Sequence, residues 1–61
     1  MSTKRKLTQQ VAERMERVHT ELVFASFAAK TAKLPRVARL DKMAAQAALL
    51  RDYYAQLVKK V

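Results

Sequence analysis

Val11, Met15, Val18, Leu22, Ala25 and Ala29 recur at alternating spacings of four and three along the first half of the chain. Leu40, Met43, Ala47, Leu50, Tyr54, Leu57 and Val61 do the same in the second half, after an initial step of three. That period is the a/d stripe of a helix that lies along another helix. It breaks once, in the stretch Lys33-Leu34-Pro35-Arg36. The chain has no glycine and only one proline, Pro35, so strong turn signals are missing everywhere else. Proline pushes Leu34 toward an extended conformation and itself suits the first turn of a helix. The pattern predicts an all-α fold, an antiparallel hairpin of two long helices forming one domain over residues 1–61. Helix 1 is expected over about 8–32, the hinge at 33–35 and helix 2 over about 36–60. Thr8 is the expected N-cap, with Thr3 as an earlier start, and residues 1–6 are expected to form a basic tail.

So short a connection favours antiparallel neighbours. Folding at Leu34 sets Val11 near Leu57, Met15 near Tyr54 and Val18 near Leu50. Beyond them Leu22 meets Ala47, Ala25 meets Met43 and Ala29 meets Leu40. Large faces small three times near the turn, as interdigitating layers require. The run Leu22–Ala29 does not fit a single stripe. On a wheel of 100° per residue, Phe27 lies about 160° and Phe24 about 140° from the seam centre, on one flank. Ala45, Ala48 and Leu49 are likewise off the seam of helix 2. Val23, Phe24, Phe27, Ala45, Ala48 and Leu49, with Tyr53 beside them, therefore form a candidate interface. Contiguous apolar patches of this kind mark interaction sites, and two hairpins pairing into a four-helix bundle would cover this one. A larger protein partner would cover it as well.

Size strengthens that expectation. At 61 residues the chain is marginal as an isolated domain, and such domains are usually rescued by disulfides, metals or oligomerisation. There is no cysteine, which excludes disulfides, thiolate metal sites and cysteine nucleophiles. The single His19 has no carboxylates at ligating spacing, so no metal is expected, and no cofactor. The longest apolar run, Leu22–Ala29, is far short of the roughly 18–20 residues that span a bilayer. The basic start "MSTKRK" is followed by no apolar signal-peptide core. A cytoplasmic protein is expected, with membrane association disfavoured.

Catalytic chemistry has nothing to stand on. There is no phosphate-cradling glycine loop, and Ser2 and Ser26 are the only serines for a nucleophilic triad. Asp41 and Asp52 lie about three turns apart on helix 2 and cannot share an acid–base site. His19, beside the seam and expected near Leu49 and Tyr53, reads as a partly buried packing residue. Tyr54 belongs to the core and Tyr53 to its flank. The chain is expected to be non-enzymatic, with no small-molecule substrate.

Charge carries the only functional signal. Thirteen basic against five acidic residues give a net charge of +8, which favours a polyanionic partner. Lys30, Lys33, Arg36, Arg39 and Lys42 recur every three residues across the hinge and converge on the turn end of a hairpin. Lys4, Arg5 and Lys6 meet Lys59 and Lys60 at the other end, while the middle is nearly balanced. Lys59 and Lys60 suit a helix C-terminus. Arg36, Arg39 and Lys42 stand at a helix start, where the dipole disfavours cations and phosphate would relieve them.

The inferred architecture looks like that of the plasmid-encoded RNA-binding helical hairpins that dimerise into four-helix bundles, a likeness of fold with no matched recognition residues. The leading expectation is a dimeric module that binds DNA or RNA through the turn pole, with Lys4, Arg5 and Lys6 as a second pole. The alternative is a small adaptor or inhibitor that docks Phe24 and Phe27 on a larger protein.

Overall fold

A computed structural model describes residues 3–60 as two helices, α1 (Thr3–Thr31) and α2 (Val37–Lys60). They fold back on each other into a rod of 49 × 13 × 11 Å. The described residues contain no strand, and the all-α hairpin expected from the apolar period is the observed fold. Val61, the last position of the expected second stripe, lies outside the described residues.

α1 is helical from Thr3, the earlier of the two expected starts. Thr8 does not cap it; its hydroxyl donates to the Lys4 carbonyl at 2.7 Å, a bond made from inside the helix. Thr20 and Thr31 bond back in the same way to Glu16 and Phe27. Lys4, Arg5 and Lys6 are therefore the opening turn of α1 rather than a tail. Lysine and arginine are good helix formers, and nothing in the stretch breaks a helix.

The end of α1 shows how a chain without glycine makes its turn. Leu34 N–H donates to the Ala29 carbonyl at 2.9 Å and Lys33 N–H to Lys30 at 3.2 Å, the paired bonds of a Schellman cap. That cap needs a left-handed residue, normally glycine, and here Lys33 takes the conformation with φ 57°. Arg36 does so too, with φ 66°, just before α2. Its carbonyl accepts from Arg39 and Leu40, so Arg36 is the N-cap and Pro35 precedes the helix instead of opening it.

Four side-chain contacts fix how the helices sit. Ser26 Oγ donates to Asp41 Oδ1 across the seam, and Lys30 Nζ lies 3.5 Å from Asp41 Oδ2. Arg51 Nη1 donates to Glu16 Oε2 at 2.8 Å and lies 3.4 Å from His19 Nδ1. These levels agree with the expected pairing of Leu22 with Ala47. The rotation does not agree. The inward row of α1 is Ala12, Met15, His19, Leu22, Ser26 and Ala29, and that of α2 is Val37, Leu40, Ala44, Ala47, Arg51, Tyr54 and Val58.

Val11, Val18, Ala25, Met43 and Leu50, expected inside, are exposed. Each helix has turned so that the small or polar neighbour of each faces inward. The physical reason is closeness: alanine and serine let the backbones approach, and in this phase Asp41 meets Ser26 and Lys30 of α1 while Arg51 meets Glu16.

The resulting core is thin. Among the described residues the buried side chains are Ala29, Ala44, Ala47 and Ser26. Met15, Leu22, Leu40 and Tyr54 are half-buried. The accessible surface is 5107 Å², about a quarter more than the roughly 4,000 Å² of a compact monomer of this mass.

Candidate nucleic-acid interface

The turn gathers the five cations expected there into a collar around one end of the rod. Lys30 and Lys33 close α1, Arg36 caps α2, and Arg39 and Lys42 lie on its first turns. Successive threes on a helix drift by about 60° per step, so Arg36, Arg39 and Lys42 wind around α2 rather than lining one flat face. Lys30 is partly neutralised by Asp41, whose carboxyl is held below its ordinary value of 3.8 by the Ser26 hydroxyl first, against an opposing effect of desolvation, with Lys30 lowering it further. Among the described residues, Lys33, Arg36, Arg39 and Lys42 enter no ion pair.

The backbone adds to this. The first turn of α2 holds no acidic residue, and the arginine at its N-cap has no oxygen to offer the free N–H groups behind it. The N-terminal end of the dipole thus faces cations instead of anions. Left-handed φ costs a residue with a Cβ roughly 1 kcal/mol, and both residues held there are cationic. Strain of this kind is concentrated where function needs a particular residue.

Next to the collar, Phe24 and Phe27 are 66% and 69% exposed. By helical phase Phe24 points straight away from α2, while Phe27 leans to the flank that carries Val23 and Lys30. Ala45 and Ala48 fall on that same flank of α2, marked by the Lys30–Asp41 pair. Leu49 points outward from α2, and Tyr53 lies on the opposite flank, stacked edge-on against Tyr54 with ring centres 5.2 Å apart. The seven residues expected as one interface are thus divided. Val23, Phe27, Ala45 and Ala48 share a flank, Phe24 and Leu49 stand off the back of their helices, and Tyr53 belongs elsewhere. All are exposed except the half-buried Ala48.

At the other end, Arg5 and Lys59 line one open groove together with Glu16 and Arg51, so that pole is interleaved with carboxylates. Lys4 and Lys6 fall to either side of it. The middle of the rod is organised by Arg51, which also donates from Nε to Asp52 at 3.0 Å. Its two carboxylate partners, Glu16 and then Asp52, raise its already high pKa. His19 is half-buried in the seam as expected, but it faces Arg51 rather than Leu49 and Tyr53. Arginine can only donate, so His19 Nδ1 is an acceptor there.

No group of three His, Asp or Glu side chains suited to a metal occurs among the described residues, and none of their helices is long and apolar enough to cross a membrane. No known family, curated protein or solved structure matches the chain. Sequence reasoning found the cationic collar but missed the left-handed backbone beneath it, the Ser26–Asp41 bond and the central role of Arg51. The absence of glycine was the available signal for the first: a helix end closed by a left-handed cap must, without glycine, place some other residue at positive φ.

Proposed function

We propose that the chain is a small, non-enzymatic, cytoplasmic nucleic-acid-binding module that holds phosphates at its turn. The observation that carries the reading is the collar of Lys33, Arg36, Arg39 and Lys42. These cations have no counter-ion among the described residues, surround a helix start without acidic side chains, and include both residues held at positive φ. A phosphate there meets cations and free N–H groups together. Phe24 and Phe27, exposed alongside, offer faces on which unpaired bases stack. The module works as a dimer, two hairpins forming a four-helix bundle, because a seam of three buried alanines and a serine is too small a core for one copy. Lys4, Arg5 and Lys6 form a secondary pole at the far end.

The test is a fluorescence-anisotropy titration of labelled single-stranded RNA and duplex DNA at several salt concentrations. Arg36→Gln with Arg39→Gln weakens binding to unrelated sequences about equally. It also lowers the slope of log affinity against log salt by about 0.7–0.9 for each phosphate no longer held. Wild type that binds neither polymer at low salt overturns the proposal. The exposure of Phe24 and Phe27 favours a second reading in that event, an adaptor that docks them on a larger protein.

A further inference from the structure

The apolar stripe of each helix is wider than one neighbour can use. Val11, Val18 and Ala25 on α1, with Met43, Leu50 and Leu57 on α2, fall on the broad face opposite the Lys30–Asp41 and Glu16–Arg51 pairs. Met43 and Leu50 are each 46% exposed, and no ion pair of the described residues crosses this face. At the level set by the cross-seam pairs, Val11 lies beside Leu57, Val18 beside Leu50 and Ala25 beside Met43. We infer that this face, rather than the Phe24 and Phe27 flank, receives a second copy of the chain. The copies run antiparallel, so that the turn of one lies beside the termini of the other. The inference rests on the dimer reading above and is independent of nucleic-acid binding.

Area and charge carry the inference. From Leu7 to Ala28 the face runs roughly 30 Å, and two helices make it about 20 Å wide. A pair of copies then buries on the order of 1,200 Å², the lower bound for stable association, and the rod has that surface in excess. The rim of α1 beside the face reads Leu7, Arg14, Glu21 and Ala28, at sevenfold spacing. With the two-fold axis crossing at Val18, α1 lies against α1 of the second copy in reverse. Arg14 then meets Glu21 of the second copy, and Leu7 meets its Ala28, each pair formed twice.

Neither Arg14 nor Glu21 has an ion pair within the hairpin among the described residues. Turning the second copy so that both turns share an end sets Arg14 against Tyr53 and Leu7 against Lys60, without an ion pair. The antiparallel arrangement does bring Arg39 near Lys60 of the second copy, at an exposed rim where salt screens the repulsion.

Sedimentation equilibrium on the full chain reads the mass, and disulfide trapping reads the face. The chain has no cysteine, so Val18→Cys introduces the only thiol. Lying on the two-fold, it oxidises to a covalent dimer, while Phe27→Cys stays mostly uncoupled. Arg14→Glu or Glu21→Arg alone weakens association on the order of tenfold, and the double exchange restores it. A wild type with the mass of one chain overturns both the dimer and this face. A dimer trapped by Phe27→Cys and not by Val18→Cys overturns the face alone. Failure of the double exchange to rescue overturns the direction of packing.

Discussion

The rotation of the helices makes a prediction that one alanine can test. Ala44 is 8% exposed and faces α1, whereas a seam built on Met43 and Leu50 would leave it at the margin. Ala44→Leu adds three carbons where two helices approach through small side chains. Overpacking of this kind costs about 1–3 kcal/mol. In a domain this small, each 1 kcal/mol moves Tm by roughly 4–8 °C, so the variant should melt about 5–20 °C below wild type. Ala45→Leu, one position along, is the control: it is exposed, leucine is nearly as good a helix former as alanine, and its melt should stay close to wild type. The assay is thermal unfolding by far-UV circular dichroism at matched and varied concentrations, because association raises apparent stability by mass action. If Ala44→Leu melts with its control, α1 and α2 do not meet on the alanine row, and the observed phase is wrong.

Ser26→Ala should raise the pKa of Asp41 toward its ordinary 3.8, since the Ser26 hydroxyl is the first cause of its depression. The folded value is the lower one, so the stabilisation is present above pH 3.8 and is lost as pH falls through the folded value. Carbon-detected NMR titration of Asp41 checks this, and an unmoved titration would refute the bond. Lys33→Gly removes the Cβ from a left-handed cap and should stabilise the hairpin by up to about 1 kcal/mol while lowering nucleic-acid affinity, read from paired melting and anisotropy curves. A loss of stability would show that the cap is not under strain. Phe24→Ser with Phe27→Ser should leave the mass in solution unchanged and weaken single-strand binding by ~1–3 kcal/mol per stacked base. Dissociation of the dimer instead would return these rings to the self-association surface.

The period of the apolar residues carried the fold a long way. It gave two helices, a hinge around Pro35 and the level of Leu22 with Ala47, because level depends on distance from the turn and every layer moves with it. Phase was not legible for a specific reason. Met15, Leu22, Ala29, Leu40, Ala47 and Tyr54 belong to both candidate seams, and the choice rests on the residues that alternate with them. On one side these are Val11, Val18, Met43 and Leu50; on the other, Ala12, His19, Ser26, Ala44 and Arg51. Hydrophobicity favours the first set. Close approach, the Ser26–Asp41 bond and the Glu16–Arg51 pair favour the second, and those depend on partners 15 and 35 residues away. The basic turn was legible as composition. Its strain was not, since φ at Lys33 and Arg36 follows from closing a turn without glycine.

The two sets of alternating residues divide the labour of specifying the structure. Polar pairs across a seam contribute little net stability when exposed, but a one-turn slip would separate Ser26 from Asp41 and Glu16 from Arg51 at the same time. They set the register. The alanine floor then lets the helices close, and the larger apolar side chains are left on an outer face, where their burial depends on association. On the proposed dimer, a hairpin built this way has its register encoded within one chain and much of its hydrophobic stabilisation deferred to the contact between chains. Stability should therefore rise steeply with protein concentration while helical register stays fixed. Glu16→Gln and Leu50→Ser separate the two contributions. The first should loosen the hairpin at every concentration, as read by hydrogen exchange of the α2 amides around Arg51. The second should leave those amides as protected as in dilute wild type and abolish the concentration dependence of Tm. If Leu50→Ser retains that dependence, the outer face does not carry the assembly, and the thin alanine seam must be stabilised in some other way.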